Sequence, residues 1–185
     1  YVRVVEVRLA SGQKTPMHSH PANAIVNLAP ARVKFSFPDG KTQIADLRPG
    51  DAIWSDSVEH AGEVLAGTVH LIVVEFKGPK PTTPMPPKDK DPAAQWPDVY
   101  RVVVDNPTAR VLEIRAGAGQ KIPMHSHPAA VSVNVGAFRV KFTYPDGKAE
   151  VLDSRPGQAM WFDKFDHAAD VLVGAVHVIS VELKG

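Results

Sequence analysis

The chain contains no cysteine. Disulfides, thiolate-bound metals and cysteine nucleophiles are therefore excluded, although the redox compartment stays open. Charge of one sign is also missing. The 21 Lys and Arg against 20 Asp and Glu leave +1 with His neutral, so no field draws the chain to nucleic acid or an anionic membrane. No apolar run approaches the roughly 18 residues that a membrane span needs. No segment sustains a helical period, which argues against a helical fold. Ser-His-Asp arrangements, phosphate loops and a clear acid–base pair are missing as well. The chain starts at Tyr1 without an initiator Met or a secretory signal pattern. A leader removed ahead of Tyr1 makes an extracytoplasmic location the expectation.

Histidine is scarce, with eight in 185 residues. Four of them sit in two copies of PMHSHPA, at Pro16–Ala22 and Pro123–Ala129. The offset of 107 residues between the copies holds without a gap from Arg3/Arg110 to Gly78/Gly185. RVKFSFPDGK pairs with RVKFTYPDGK, and RPGDAIW with RPGQAMW. The pattern is an internal duplication, so each half is expected to be one structural unit. Residues 1–78 and 99–185 are the two expected domains, and the proline-rich stretch 79–98 reads as an extended, semi-rigid linker. Trp96 is unusual in a free linker and is expected to dock on a domain. VYRVVVDNP precedes copy two as a strand with no counterpart in copy one, so the expectation is either that residues ahead of Tyr1 are missing from this chain or that the linker or a partner subunit covers the edge.

Both copies read as all-β. RVVEVRL, AIVNL, RVKFSF, DAIWS and TVHLIVVEF are short runs rich in Val, Ile and aromatics, set apart by Gly, Pro and Asp. Asp-Gly in FPDGK marks a hairpin. Several short strands in so short a unit predict a small sandwich or barrel.

On a strand, residues two apart share a face. His18 and His20 can therefore aim at one point, as can His125 and His127. His60 and His167 follow at matching places and supply a third imidazole to each group. Three imidazoles from two strands make an open metal site, with positions left for water or substrate.

These residues carry a resemblance. Gly12 to His20 and Gly119 to His127 follow the pattern G-x5-H-x-H, and Pro49 to His60 and Pro156 to His167 follow PG…W…H. Both patterns resemble the two motifs of the cupins, once in each half. The chain thus resembles a bicupin, and its texture is similar to small cupins associated with beta-alanine degradation. The resemblance implies two tandem jelly-roll barrels, each with a divalent metal in its mouth. It does not imply one reaction, because cupins include dioxygenases, isomerases, lyases, decarboxylases and storage proteins.

One feature departs from the family. Ile25 and Ser132 stand where the cupin pattern has a Glu ligand. Both sites are then three-histidine sites, and the metal keeps its full 2+ charge. That favours an anionic chelating ligand. Imidazole ligation favours Fe or Cu, with Zn, Ni or Mn as further candidates. The first expectation is an oxidoreductase of oxygenase type acting on a small chelating molecule. The alternatives are a non-catalytic metal- or small-ligand-binding protein and a redox-neutral metal lyase or isomerase. Homo-oligomer formation through exposed barrel edges is a further expectation.

Around the sites, Asn27 and Asn134 are expected to face the barrel interior, either as ligand contacts or as satisfied core amides. Trp54 and Trp161 precede the third histidines, with core packing favoured over stacking on a ligand. Met17 and Met124 are expected to pack on the opposite face. Asp56 and Asp163 are candidates to orient a ligand imidazole, although exposed loop positions are favoured. His70 and His177 are expected at the surface, where a second metal site is the minor reading. Ser55, Val58 and Ile25 in copy one become Phe162, Phe165 and Ser132 in copy two, so the two mouths should differ.

Overall fold

Alternating β-branched and polar residues give strands throughout, with a single short helix among the described residues, 1–78 and 83–185 of the computed structural model. The chain divides into two units, Tyr1–Gly78 and Pro79–Gly185. The part of the expected linker at 79–82 lies outside the described residues.

The first unit contains β1 (Val2–Ala10), β2 (Lys14–His20), β3 (Asn23–Asn27), β4 (Ala31–Ser36), β5 (Thr42–Leu47), β6 (Ala52–Ser55) and β7 (Val58–Phe76). All pairings are antiparallel. β7 has 19 residues, far beyond the usual strand length, because it serves two sheets. Its first part pairs with β2 and β4, and its second with β1 and β3. The turn between sheets falls at Gly67, with φ of 75°. An added Cβ there would lie 2.4 Å from the Pro30 carbonyl oxygen, so both backbone angle and space demand glycine. A register shift between Arg32 and Val33 marks a bulge beside this corner. Ala31, Val33, Leu47, Val64 and Val69 form the buried core.

The second unit repeats the plan with β9 (Ala109–Ala116), β10 (Lys121–His127), β11 (Ala130–Asn134), β12 (Phe138–Thr143), β13 (Ala149–Ser154), β14 (Ala159–Phe162), β15 (Phe165–Gly174) and β16 (Val176–Leu183). One sheet runs β10-β15-β12-β13. The other runs β14-β11-β16-β9-β8, where β8 is Tyr100–Asp105. Gly174, with φ of 75°, occupies the corner that Gly67 occupies in the first unit. The strand pairings match those of the first unit except at β8. Among the described residues no strand lies on the free side of β1, whereas β8 covers the corresponding side of β9.

The stretch before β8 is packed rather than extended. Asp91 caps a short helix, α1 (Pro92–Gln95), by accepting from the Ala93 amide, and Pro92 occupies the first turn. Ala93 and Trp96 pack against the core built from Tyr100, Leu112, Ile122, Phe138 and Val178. The Ser126 amide donates to the Lys90 carbonyl at 2.9 Å, which fastens this stretch to the strand bearing His125 and His127. The reading of 79–98 as unpacked linker is thus corrected for its C-terminal part. Apolar Trp96 and a capped turn outweigh the proline content there.

Candidate metal centres

His18 and His60 face each other across β2 and β7, as do His125 and His167 across β10 and β15. The i, i+2 spacing brings His20 and His127 to the same face. In each unit the candidate nitrogens of the three histidines lie within 4.8 Å of one another. The first group is half-buried and the second is buried.

Four of the six imidazoles are held in a defined tautomer. His18 and His125 donate from Nδ1 to the carbonyls of Pro16 and Pro123, both at 2.7 Å. His20 donates from Nδ1 to Glu75 at 2.9 Å, and His127 to Glu182 at 2.8 Å. In all four, Nε2 is left with its lone pair, the form a metal needs. His167 has no hydrogen-bond partner at either ring nitrogen, although both are buried. Such a group is costly unless a further species satisfies it, and a metal ion would do so. The residues present fit a divalent cation.

Burial also favours the neutral form of three of the imidazoles. Burial, followed by the neighbouring His125 and His127, pushes His167 down to about 2. Burial first, then the adjacent histidine, brings His125 to about 4. His60 also falls to about 4, by burial and then His18 and His20.

The two carboxylates behind the histidines were missed in the sequence. Glu75 is buried, and its other oxygen accepts from Arg3 at 2.6 Å. Burial alone would raise its carboxyl, but the bonds from His20 and Arg3 outweigh this and hold it below the ordinary range. Glu182 is fully buried and accepts from Arg110 at 2.6 Å. Arg110 in turn grips Asp91 through both terminal nitrogens, at 2.7 and 3.0 Å. The available signal was an acid at matching places in two apolar runs, VVEF and SVEL.

Other candidates separate. Asp56 and Asp163 do not touch the histidines. Each is exposed and accepts from the indole of Trp54 or Trp161, at 2.9 and 3.1 Å. Trp161 is 41% exposed, because strand alternation sends its neighbours Met160 and Phe162 inward. Core packing is therefore corrected for this residue. Trp54 is half-buried against Phe76, with ring centroids 5.2 Å apart. Met17 and Met124 are exposed rather than packed. His70 and His177 are half-buried and bonded to Glu6 and Glu113, at 2.9 and 3.1 Å. Among the described residues, neither joins a group of three possible ligands.

Asn27 and Asn134 are buried as expected. Both polar atoms of the Asn27 side chain lack partners, whereas Asn134 reaches Gln158 at 3.4 Å. Asn134 and Ser132 line a cavity of about 80 Å³ in the second unit, beside His127 and His167. Ile25 holds the place of Ser132 in the first unit, paired with Ile53 and Val73. His125 of the second site is contacted by residues without counterparts in the first. Tyr100 donates to Nε2 of His125 at 2.9 Å, and the Trp96 ring lies 5.5 Å from that imidazole. Burial, then the Glu182 charge, pushes the Tyr100 phenol up, so it stays a donor.

No family model matches the chain, and no curated protein matches it in sequence. Solved structures do. One of oxalate decarboxylase, concerned with proton-coupled electron transfer, matches with a TM-score of 0.65 at 14% identity, covering 99% of this chain and 69% of the other. Another, on the Mn(II) centres of Bacillus subtilis oxalate decarboxylase, matches with a TM-score of 0.61 at 16% identity over the same shares. The fold is the cupin-type jelly roll. At such identity the likeness extends to the fold alone.

Proposed function

We propose that the chain is a metal-dependent protein with two tandem cupin barrels, arisen by duplication. His18, His20 and His60 hold a divalent metal in the first, and His125, His127 and His167 in the second. The observation that carries this is the buried and aligned second triad, with His167 lacking any hydrogen-bond partner at its buried ring nitrogens. The bound metal would supply Lewis acidity and open coordination positions. The protein's own groups do the rest. Pro123 and Glu182 orient two imidazoles, Arg110 holds Glu182, and Trp96 and Tyr100 keep water out. Nε2 of His125 can serve the metal or Tyr100, but not both at once.

Oxidoreductase chemistry on a small chelating substrate, with Fe or Cu, remains the first reading. Neutral imidazole ligation and the mainly apolar cavity beside the second triad support it. A redox-neutral lyase on Mn fits no worse, since the matched structures are of a decarboxylase studied for its Mn(II) centres. Metal analysis of untagged protein, followed by O₂ uptake with candidate acids, separates the two. Uptake stoichiometric with turnover supports the oxygenase. CO₂ release without uptake supports the lyase. Absence of stoichiometric metal overturns both.

A further inference from the structure

The two sites differ in the fixed charge behind them. In the first unit, Glu75 pairs with Arg3, and the two formal charges cancel. In the second, Glu182 and Asp91 share Arg110, so the group carries one net negative charge, with Glu182 and Arg110 buried and Asp91 partly so. A divalent metal therefore leaves +2 in the first site and +1 in the second. Arg3 is 57% exposed at its side chain and Arg110 7%, so water screens the first arrangement far more than the second.

The cavity walls differ in the same sense. Ser132 and Ser180 are directly paired on β11 and β16, with hydroxyls 3.4 Å apart. Glu182 is the next residue on that face, roughly 7 Å along the strand. The serine pair thus lies one layer in from the Glu182–His127 contact. The first unit has Ile25 and Val73 at these positions. The facing wall of the second cavity, from β12, is apolar, and no Lys or Arg lines it. At roughly 10–15 Å³ per water-sized position, the cavity of about 80 Å³ takes a molecule of roughly five to eight heavy atoms.

Resting on the metal reading above, we propose that the second barrel selects a small 2-oxo or 2-hydroxy monocarboxylate with an aliphatic tail, and disfavours a dianion such as oxalate. One negative charge matches the site. Two oxygens chelate the metal, the third accepts from Ser132 or Ser180, and the tail lies on the apolar wall. No second cation is present for a second carboxylate.

The test uses the full chain carrying His18→Ala and His60→Ala, so that the second site alone loads. Co(II) content is measured first, and its visible spectrum then reports titrations with 2-oxoisovalerate and oxalate. The expected result is 2-oxoisovalerate binding at least about tenfold more tightly, the order of effect of one buried charge. Asp91→Asn, which keeps a good helix cap, should shift that ratio toward oxalate by about tenfold. Ser132→Ile with Ser180→Val should weaken 2-oxoisovalerate and leave Co(II) content unchanged. Tighter oxalate binding, or a ratio indifferent to Asp91→Asn, overturns the proposal while the metal reading stands. Failure to take up Co(II) overturns both.

Discussion

His127 donates from Nδ1 to Glu182 at 2.8 Å, and Glu182 is fully buried. The acid has no exit to water, so its charge acts on the imidazole, on Arg110 and on the Tyr100 phenol. Fixing the tautomer and raising ligand basicity are what such a carboxylate does behind a metal-bound histidine. Glu182→Gln should therefore lower metal affinity of the second site by about 10–100-fold. Competition with a chromophoric chelator measures this. Glu75→Gln should act less strongly, because His20 and Arg3 are more exposed than His127 and Arg110. Equal losses at both sites would contradict the role assigned to burial.

The depressed histidines make the metal-free protein sensitive to acid. His125 and His167 fall from 6.5 to about 4 and about 2, so between those values and 6.5 the unfolded chain binds more protons than the folded one. Stability is then complete above pH 6.5 and declines as pH falls below it. At pH 5.5 each of these two buried residues should cost roughly 1 kcal/mol. Urea midpoints of metal-free protein at pH 7.5 and 5.5 check this. His60 is half-exposed, so its effect in the first unit should be smaller. A midpoint that rises on acidification would show the sign to be wrong.

The corner glycines set the barrel. Gly67→Ala forces a Cβ to 2.4 Å from the Pro30 carbonyl at a φ of 75°. Gly174→Ala brings it to 2.8 Å from the Ala137 carbonyl. Each substitution should destabilise its own unit by about 1–3 kcal/mol, with Gly67→Ala the worse. Thermal unfolding followed by calorimetry provides the measurement.

Strand content and the histidine pairs were legible because both depend on local period. His18 and His20 had to share a face once their segment was a strand, and the repeat located His60 and His167. Glu75 and Glu182 were not legible in this way. Their role depends on the carboxylate of one sheet meeting His20 or His127 on a strand of the other, and no local pattern encodes that approach. The length of β7 was hidden for a related reason, since Gly67 reads as a stop although it turns a corner within one strand. Trp96 signalled a docked segment. That Asp91 and Tyr100 reach the second histidine group could not be read, because their partners Arg110 and His125 are 19 and 25 residues away.

The last prediction concerns the carboxylate that the histidine motifs lack. Ser132 lies on the inner face of β11 and lines the cavity with His127 and His167. Ser132→Glu places an anion beside the triad, where it has no Lys or Arg to pair with among the lining residues. Without metal, that charge is buried and should destabilise the second unit by several kcal/mol or take up a proton. With metal, the carboxylate gains its partner. Metal affinity should therefore rise and the stability gap between loaded and metal-free protein should widen. The same carboxylate removes positive charge and an open position, so turnover and the binding of acidic ligands should fall. Ile25→Glu should follow the same pattern in the first unit, with a greater loss of metal-free stability because it replaces an aliphatic wall. Calorimetric melting with and without metal, alongside ligand titration, reads both arms. A stability gap unchanged by Ser132→Glu would mean that the side chain does not reach the triad, and the three-histidine, open-position site would have to be redrawn.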